Sequence, residues 1–324
     1  MPDRRSSVAV GLALLVLLIT GAAPSAAQTW PQRPVKLVVP LGAGSGVDIG
    51  ARLFADRLGA RWGQPVIVEN RPGGDGIVAI NAFVSGHDDH TLLCTPTSSF
   101  TAHPYLHDSL PYKPSDLLPI ARISNTLILL AVPTSLKADT LDDLFRLVRA
   151  EPGKLNWAGA TGALDFLIAG FMNGAGLSMA KVPYRNPVEA LNDLAEGCVQ
   201  MYAAALAIMR PQVQAGKVRM LAVTNSMRAR AAPAVPTATE AGYPGLAFDG
   251  LVGFFGLADT PGEVRARIAA DVKAVGADPE LAAQLEVTGQ ALNIGGPAEF
   301  AAATEAQRAK VAAMAAVLGI KPSQ

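Results

Sequence analysis

The chain has 324 residues with 27 basic and 27 acidic side chains, so its formal net charge is zero. Binders of nucleic acid or of anionic membrane surfaces carry a basic excess, and none is present here. With 50% hydrophobic and 17% charged residues, the chain can bury sizeable cores, and its length leaves room for two lobes of ordinary domain size.

The first element is a leader. Arg4 and Arg5 precede an apolar run from Val8 to Thr20, and Ser25-Ala26-Ala27 offers small residues for cleavage. The run is short for a membrane span, so residues 1–27 are predicted to be a cleaved signal peptide. No second apolar stretch of membrane length follows, which predicts a soluble, exported mature protein.

Val35–Pro40 reads as a strand, GAGSG as a turn, and Asp48 to Trp62 as a helix with Leu53, Phe54, Leu58 and Trp62 on one side. PVIVEN is a second strand, RPGGDG a glycine-rich turn, IVAINAFVS a helix and HTLLCT a third strand. IARISNTLILLAVP exceeds a normal strand and can cross from one lobe to another. Thr140 caps the next helix, with Asp143 in its first turn. LNWAGATG then reads as strand and loop, LDFLIAGFMNGAG as a helix and KVPY as a strand. Asn186-Pro187-x-Glu189 is a capping-box helix start, and VQMYAAALAI and VRMLAVT are strands. GLVGFFGLA can return to the first lobe. Thr260-Pro261-x-Glu263 opens a helix in the same manner, and the last helix starts near Pro297.

Alternating strands and helices predict an α/β fold of two lobes, with mixed, mostly parallel sheets flanked by helices and a ligand cleft between them. The predicted division is 28–127 plus 232–324 for lobe 1 and 128–231 for lobe 2. Ligands in such sheets bind beyond the carboxyl ends of the strands, where GAGSG and ATGAL both fall.

A dinucleotide fingerprint needs glycine at the first, third and sixth positions. The sixth position is Val47 counted from Gly42 and Ile49 counted from Gly44, so both registers fail. The phosphate loop GxxxxGK[ST] and the GxSxG nucleophile elbow do not occur. GAGSG offers instead a run of N–H groups at the positive end of a helix, where Gly44, Ser45 and Gly46 let a carboxylate come close. Charge-assisted hydrogen bonds of that kind are worth about 1.5–3 kcal/mol each.

Other clusters read as structural. Gly86-His87-Asp88-Asp89-His90 has metal-ligand residue types but reads as a solvated turn, and His103 and His107 are separated by Pro104. Cys94 and Cys198 lie in or beside apolar runs and read as two buried thiols, with a single bridge between them left open.

WPQRPVKLVVP followed by GAGSGVDIGARLFADRLGARWGQPVIVENRPGG resembles the Bug family, the periplasmic solute-binding receptors of tripartite tricarboxylate transporters. The likeness continues through HTLLCTPTSS, KVPYRNPVEALNDLAEG, AGKVRMLAVTNSMRARAAPAVPTATEAGYPG and the C-terminal helices. It implies a type II periplasmic binding protein-like fold, closing on a ligand gripped by two loops. The first loop would be Leu41 to Asp48, with Leu41, Gly44, Ser45, Gly46 and Asp48 at the ligand. The second would be Ala160 to Asp165, with Thr161, Gly162, Ala163 and Asp165. Thr97, Ser98, Tyr184 and Ala204 complete the implied pocket. Asp48 can face the ligand or cap its helix, and Tyr184 can face the ligand or only pack. Leu41 stands where the family usually has Phe, and Asp165 where its second loop commonly has His.

The resemblance implies a receptor with no catalysis and no cofactor, monomeric, that captures a small carboxylate solute and passes it to a membrane permease. Two alternatives are an exported metal-dependent hydrolase built on His87–His90 and a ligand sensor for a signalling partner.

Overall fold

A computed structural model describes residues 30–159, 162–184 and 186–323. The predicted signal peptide and Thr161 lie outside the described residues.

The first unit begins with β1 (Val35–Val39), followed by α1 (Gly46–Trp62) and β2 (Val66–Asn70). Ser45 caps α1 by accepting from the Asp48 N–H, and Gly63 ends it in the left-handed conformation at φ 65°. After α2 (Ile77–Gly86) come β3 (Thr91–Pro96) and two one-turn helices, α3 (Ser98–Thr101) and α4 (His103–Leu106). The long apolar run divides into β4 (Leu117–Thr126) and β5 (Ile128–Pro133), with the break at Leu127.

The second unit adds α5 (Leu141–Ala150), β6 (Asn156–Gly159), α6 (Gly162–Gly174), β7 (Ala180–Lys181), α7 (Pro187–Glu196), β8 (Met201–Ala205), α8 (Leu206–Gln214) and β9 (Val218–Val223). Then β10 (Gly250–Leu257), α9 (Gly262–Val275), α10 (Pro279–Val287), β11 (Gln290–Gly295) and α11 (Pro297–Val317) follow. No described helix is long and apolar enough to cross a membrane.

Two sheets result, in the orders β11-β4-β10-β3-β1-β2 and β7-β6-β8-β5-β9. In the first, β1 runs parallel to β2 and β3, while β10 and β11 pair antiparallel. In the second, β6 is parallel to β7 and β8, whereas β5 is antiparallel to β8 and β9. The sheets are mixed, as predicted, but they are not mostly parallel. The strands that enter from or return to the other unit arrive against the local chain direction and pair antiparallel. The central strands are covered on both faces, as the unbroken burial of β5 and β10 shows.

Several boundaries differ from the sequence reading. VQMYAAALAI is strand only to Ala205, and Leu206 and Met209 then bury one face of α8. Short apolar runs do not distinguish strand from helix by pattern alone. KVPY pairs only through Ala180–Lys181, and Pro261 rather than Thr260 caps α9. Cys94 is buried in β3 and Cys198 exposed beyond α7, both free, so the two thiols are neither both buried nor bridged. The chain rejoins the first sheet at Gly250, and Val235, Ala238, Leu246 and Phe248 are buried in the cores of the second sheet. Packing thus places 232–248 with the second sheet, not with lobe 1. The last helix serves both units: Phe300 packs with Phe255, and Val311 and Ala315 lie in the core around Phe145 and Ile168.

Candidate functional site

A cleft of about 930 Å³ opens between the two sheets and is lined from both. On the first sheet it meets the carboxyl ends of the parallel strands, at Pro40 and Pro96, and the glycine turn after β2. On the second it meets Ala205 at the end of β8 and Gly162 beyond β6. The same lining holds the first residues of α1, α6 and α7 and Ala207 in the first turn of α8, so the positive ends of four helices converge on one space. Among the described lining residues there is no lysine or arginine. An anion here would be held by backbone N–H groups and helix ends.

The first loop is braced from behind. Asp48 is 1% exposed, and its carboxylate accepts from Gly44 N at 2.8 Å and from Asn70 Nδ2 at 2.8 Å. Asn70 Nδ2 also donates to the Leu41 carbonyl at 3.0 Å, and Arg52 donates to Asp48 Oδ1 at 3.1 Å and to Asn70 Oδ1 at 2.9 Å. Burial works against the charged form of Asp48, but Arg52, the Gly44 N–H and Asn70 outweigh it and hold the carboxyl below its ordinary value. Asp48 therefore positions the loop and does not line the cleft.

The bracing also uses up donors. The Gly44 N–H goes to Asp48 and the Ser45 N–H to the Gly42 carbonyl at 3.2 Å. The N–H groups of Gly46 and Val47 find no acceptor among the described residues. The open donors thus sit one step further along than GAGSG alone suggests. At Gly46 an added Cβ would lie 2.8 Å from the Thr288 carbonyl and 3.0 Å from Gln290 Nε2, so only glycine fits there.

Leu41, Gly44, Ser45, Gly46, Ser98 and Gly162 line the cleft. Thr97, Ala163, Asp165, Tyr184 and Ala204 do not. Thr97 is fully buried and holds Leu251 and Gln307. Ala163 is buried in the core beside Leu167, and Ala204 points into the opposite face of its sheet, leaving Ala205 at the cleft. Asp165 pairs with Lys181 at 2.6 Å. The Tyr184 hydroxyl donates to Asp193 at 2.5 Å, and burial followed by that carboxylate raises its pKa.

Other lining residues escape a sequence reading. The turn Gly73–Gly76 after β2 obeys the same strand-end rule as GAGSG, a signal present in the sequence. Ile208, Phe248, Thr126 and Gln290 come from distant segments, and only the folded chain brings them together. His103 also lines the cleft, 1% exposed. A carbonyl can only accept, so the contact of His103 Nε2 with the Asp75 carbonyl at 3.2 Å makes Nε2 the donor. Nδ1 then accepts from the Tyr112 hydroxyl at 2.5 Å. Burial pushes the imidazole down to about 4, so it is neutral at neutral pH.

Asp88, Asp89 and His90 do come together with metal-ligand spacing. Their donors, however, are engaged. Arg33 bridges the two carboxylates at 2.5 and 2.7 Å, the Gln32 N–H donates to His90 Nε2, and His90 Nδ1 meets Asp89 at 2.8 Å. The group sits before Thr91, at the opposite end of β3 from Pro96. It is a braced turn remote from the cleft, which removes the footing of the hydrolase alternative.

A family profile described as the tripartite tricarboxylate transporter family receptor matches residues 50–311. Protein BugT of Bordetella pertussis is 35% identical over 228 residues, covering 69% of this chain and 70% of BugT. Rpa4515 of R. palustris, solved with adipate, superposes with a TM-score of 0.78 at 28% identity, covering 91% of this chain and 100% of that one. MatC of Rhodopseudomonas palustris, solved with bound malate, gives 0.71 at 25% identity, covering 89% and 100%.

Proposed function

Because the chain belongs to the tripartite tricarboxylate transporter receptor family, whose members are solute-binding receptors and not enzymes, we propose that it captures a small carboxylate solute in the cleft between its sheets. The observation that carries this reading is the pair of open N–H groups at Gly46 and Val47, at the mouth of α1, in a cleft without lysine or arginine. The braced loop needs no rearrangement to present them, so little ordering cost is charged against binding. The adipate and malate of the two solved relatives are carboxylates, and they support the same ligand class.

In this reading, the units built on the two sheets close around the solute. A ligand that touches both sides of the cleft favours the closed arrangement by its differential affinity for it. Residues 1–27 direct export to the periplasm, and the loaded monomer delivers the solute to a membrane permease. Gly44, Ser45, Ser98 and Gly162 frame the carboxylate, with Gly46 as its closest backbone.

Titration of the mature protein with mono- and dicarboxylates tests this, by thermal shift and then calorimetry. At least one acid is expected to raise the melting temperature dose-dependently with a Kd on the order of micromolar or tighter, and Gly46→Ala to weaken it tenfold or more. A response to zinc alone, unchanged in Gly46→Ala, would overturn the reading.

A further inference from the structure

The cleft attracts anions, yet it holds one carboxylate of its own. Asp75 is the single acidic side chain among the described lining residues. Its side chain is 63% exposed. Among the described residues no arginine or lysine pairs with it, and His107 Nε2 stands 3.9 Å from its carboxylate, beyond hydrogen-bond reach, while His103 Nε2 is engaged by the Asp75 carbonyl.

The backbone shows that this carboxylate is held in place at a cost. Asp75 has φ 55°, in the left-handed region, within a turn whose flanking glycines Gly74 and Gly76 also have positive φ. A third glycine would occupy that position without strain. The turn is anchored from below by the His103 N–H on the Asp75 carbonyl. Compensation of the α2 dipole does not explain the choice, since a carboxylate does that work in the first turn without positive φ, as Asp143 does for α5.

We infer that Asp75 forms a cation subsite in the cleft, so that the preferred solute carries a protonated or quaternary amine together with its carboxylate. This rests on the carboxylate reading above and narrows it. One end of the solute meets the N–H groups of Gly46 and Val47, and the ammonium end meets Asp75. A solute with carboxylates at both ends would set one of them against Asp75, and a neutral tail would leave Asp75 uncompensated when closure strips its water.

The test uses matched pairs differing by an amine: hexanoate and 6-aminohexanoate, succinate and aspartate, adipate and 2-aminoadipate. Each is titrated calorimetrically into the wild type, Asp75→Asn and Asp75→Gly, all processed to the mature form. Both replacements accept the left-handed conformation, and circular dichroism melts check that they fold. The wild type is expected to bind the amine member of at least one pair tenfold or more tightly. Both variants should bring that ratio close to one, with the plain acid bound as well as or better than by the wild type. The inference is overturned if the wild type binds the acids without favouring the amine, or if the preference persists in both variants. If the wild type binds none of the six, the carboxylate reading fails too.

Discussion

At the level of single residues, the chain places its charges to shape backbone. Asp48 is the clearest instance: its place in the first turn of a helix left ligand contact and capping both open, and its carboxylate serves Gly44, Asn70 and Arg52 together, while Ser45 caps the helix. The contacts with Gly44 and Arg52 lie within reach of a sequence reading because they are four residues away. The link to Asn70 does not, because it needs β2 to lie beside β1. His103 read as structural from its context, and it is buried as that reading implies, but it also lines the cleft. Its titration gives a prediction. The folded pKa lies near 4 against an ordinary 6.5, so the folded state resists a proton that the unfolded chain accepts. Stability from this group is complete above about pH 6.5 and falls as the pH drops toward 4. Between pH 7 and 5 the loss should be about 2 kcal/mol, and His103→Gln should flatten it. Urea unfolding midpoints across that range would check this, and parallel curves for the two proteins would refute it.

Elements were read well where period and cap agreed. Thr140 caps its helix with Asp143 in the first turn, as expected, the two close a capping box, and Leu144, Phe145 and Val148 are buried on the inner face. Reading failed where the residues suit either state, as in the alanine-rich run that turns from β8 into α8 at Leu206. The close approach of α6 to α11 had no sequence signal. A Cβ on Gly170 would lie 2.8 Å from Met314 Sδ and 2.9 Å from its Cβ, so the two helices meet where one lacks a side chain. Gly170→Leu is expected to wedge them apart and cost about 2–3 kcal/mol. Chemical denaturation of the variant measures this, and a cost below about 0.5 kcal/mol, the range of ordinary surface substitutions, would sink the claim.

At the scale of the whole molecule, the two units communicate through Leu127, the return segment before Gly250 and the shared helix α11. Asn225 is the tie between the first two. It is 3% exposed, accepts from the Ile128 N–H at 3.0 Å and donates to the Thr126 carbonyl at 2.9 Å, so it clasps both sides of the break. Asn225→Ala leaves a buried donor and a buried acceptor unpaired, and should cost about 2–4 kcal/mol. Equilibrium unfolding reads the loss, and an unchanged midpoint would show that the clasp is dispensable.

Local chemistry was enough to determine the alternation of strand and helix, the caps, the failure of the dinucleotide register and the glycine loop after β1, because each depends on residues within a turn or two. That alternation also pointed to the two-lobed α/β fold, and the resemblance carried the receptor class, since its motifs run in order from Trp30 to the C-terminal helices. The tertiary structure alone decided the antiparallel entries into both sheets, the later return at Gly250, the pairing of Arg33 with the acids before β3, and which strand-end residues face the cleft. These depend on contacts between segments far apart in sequence, and a side chain's exposure to the cleft is a property of how two sheets pack, not of its neighbours along the chain.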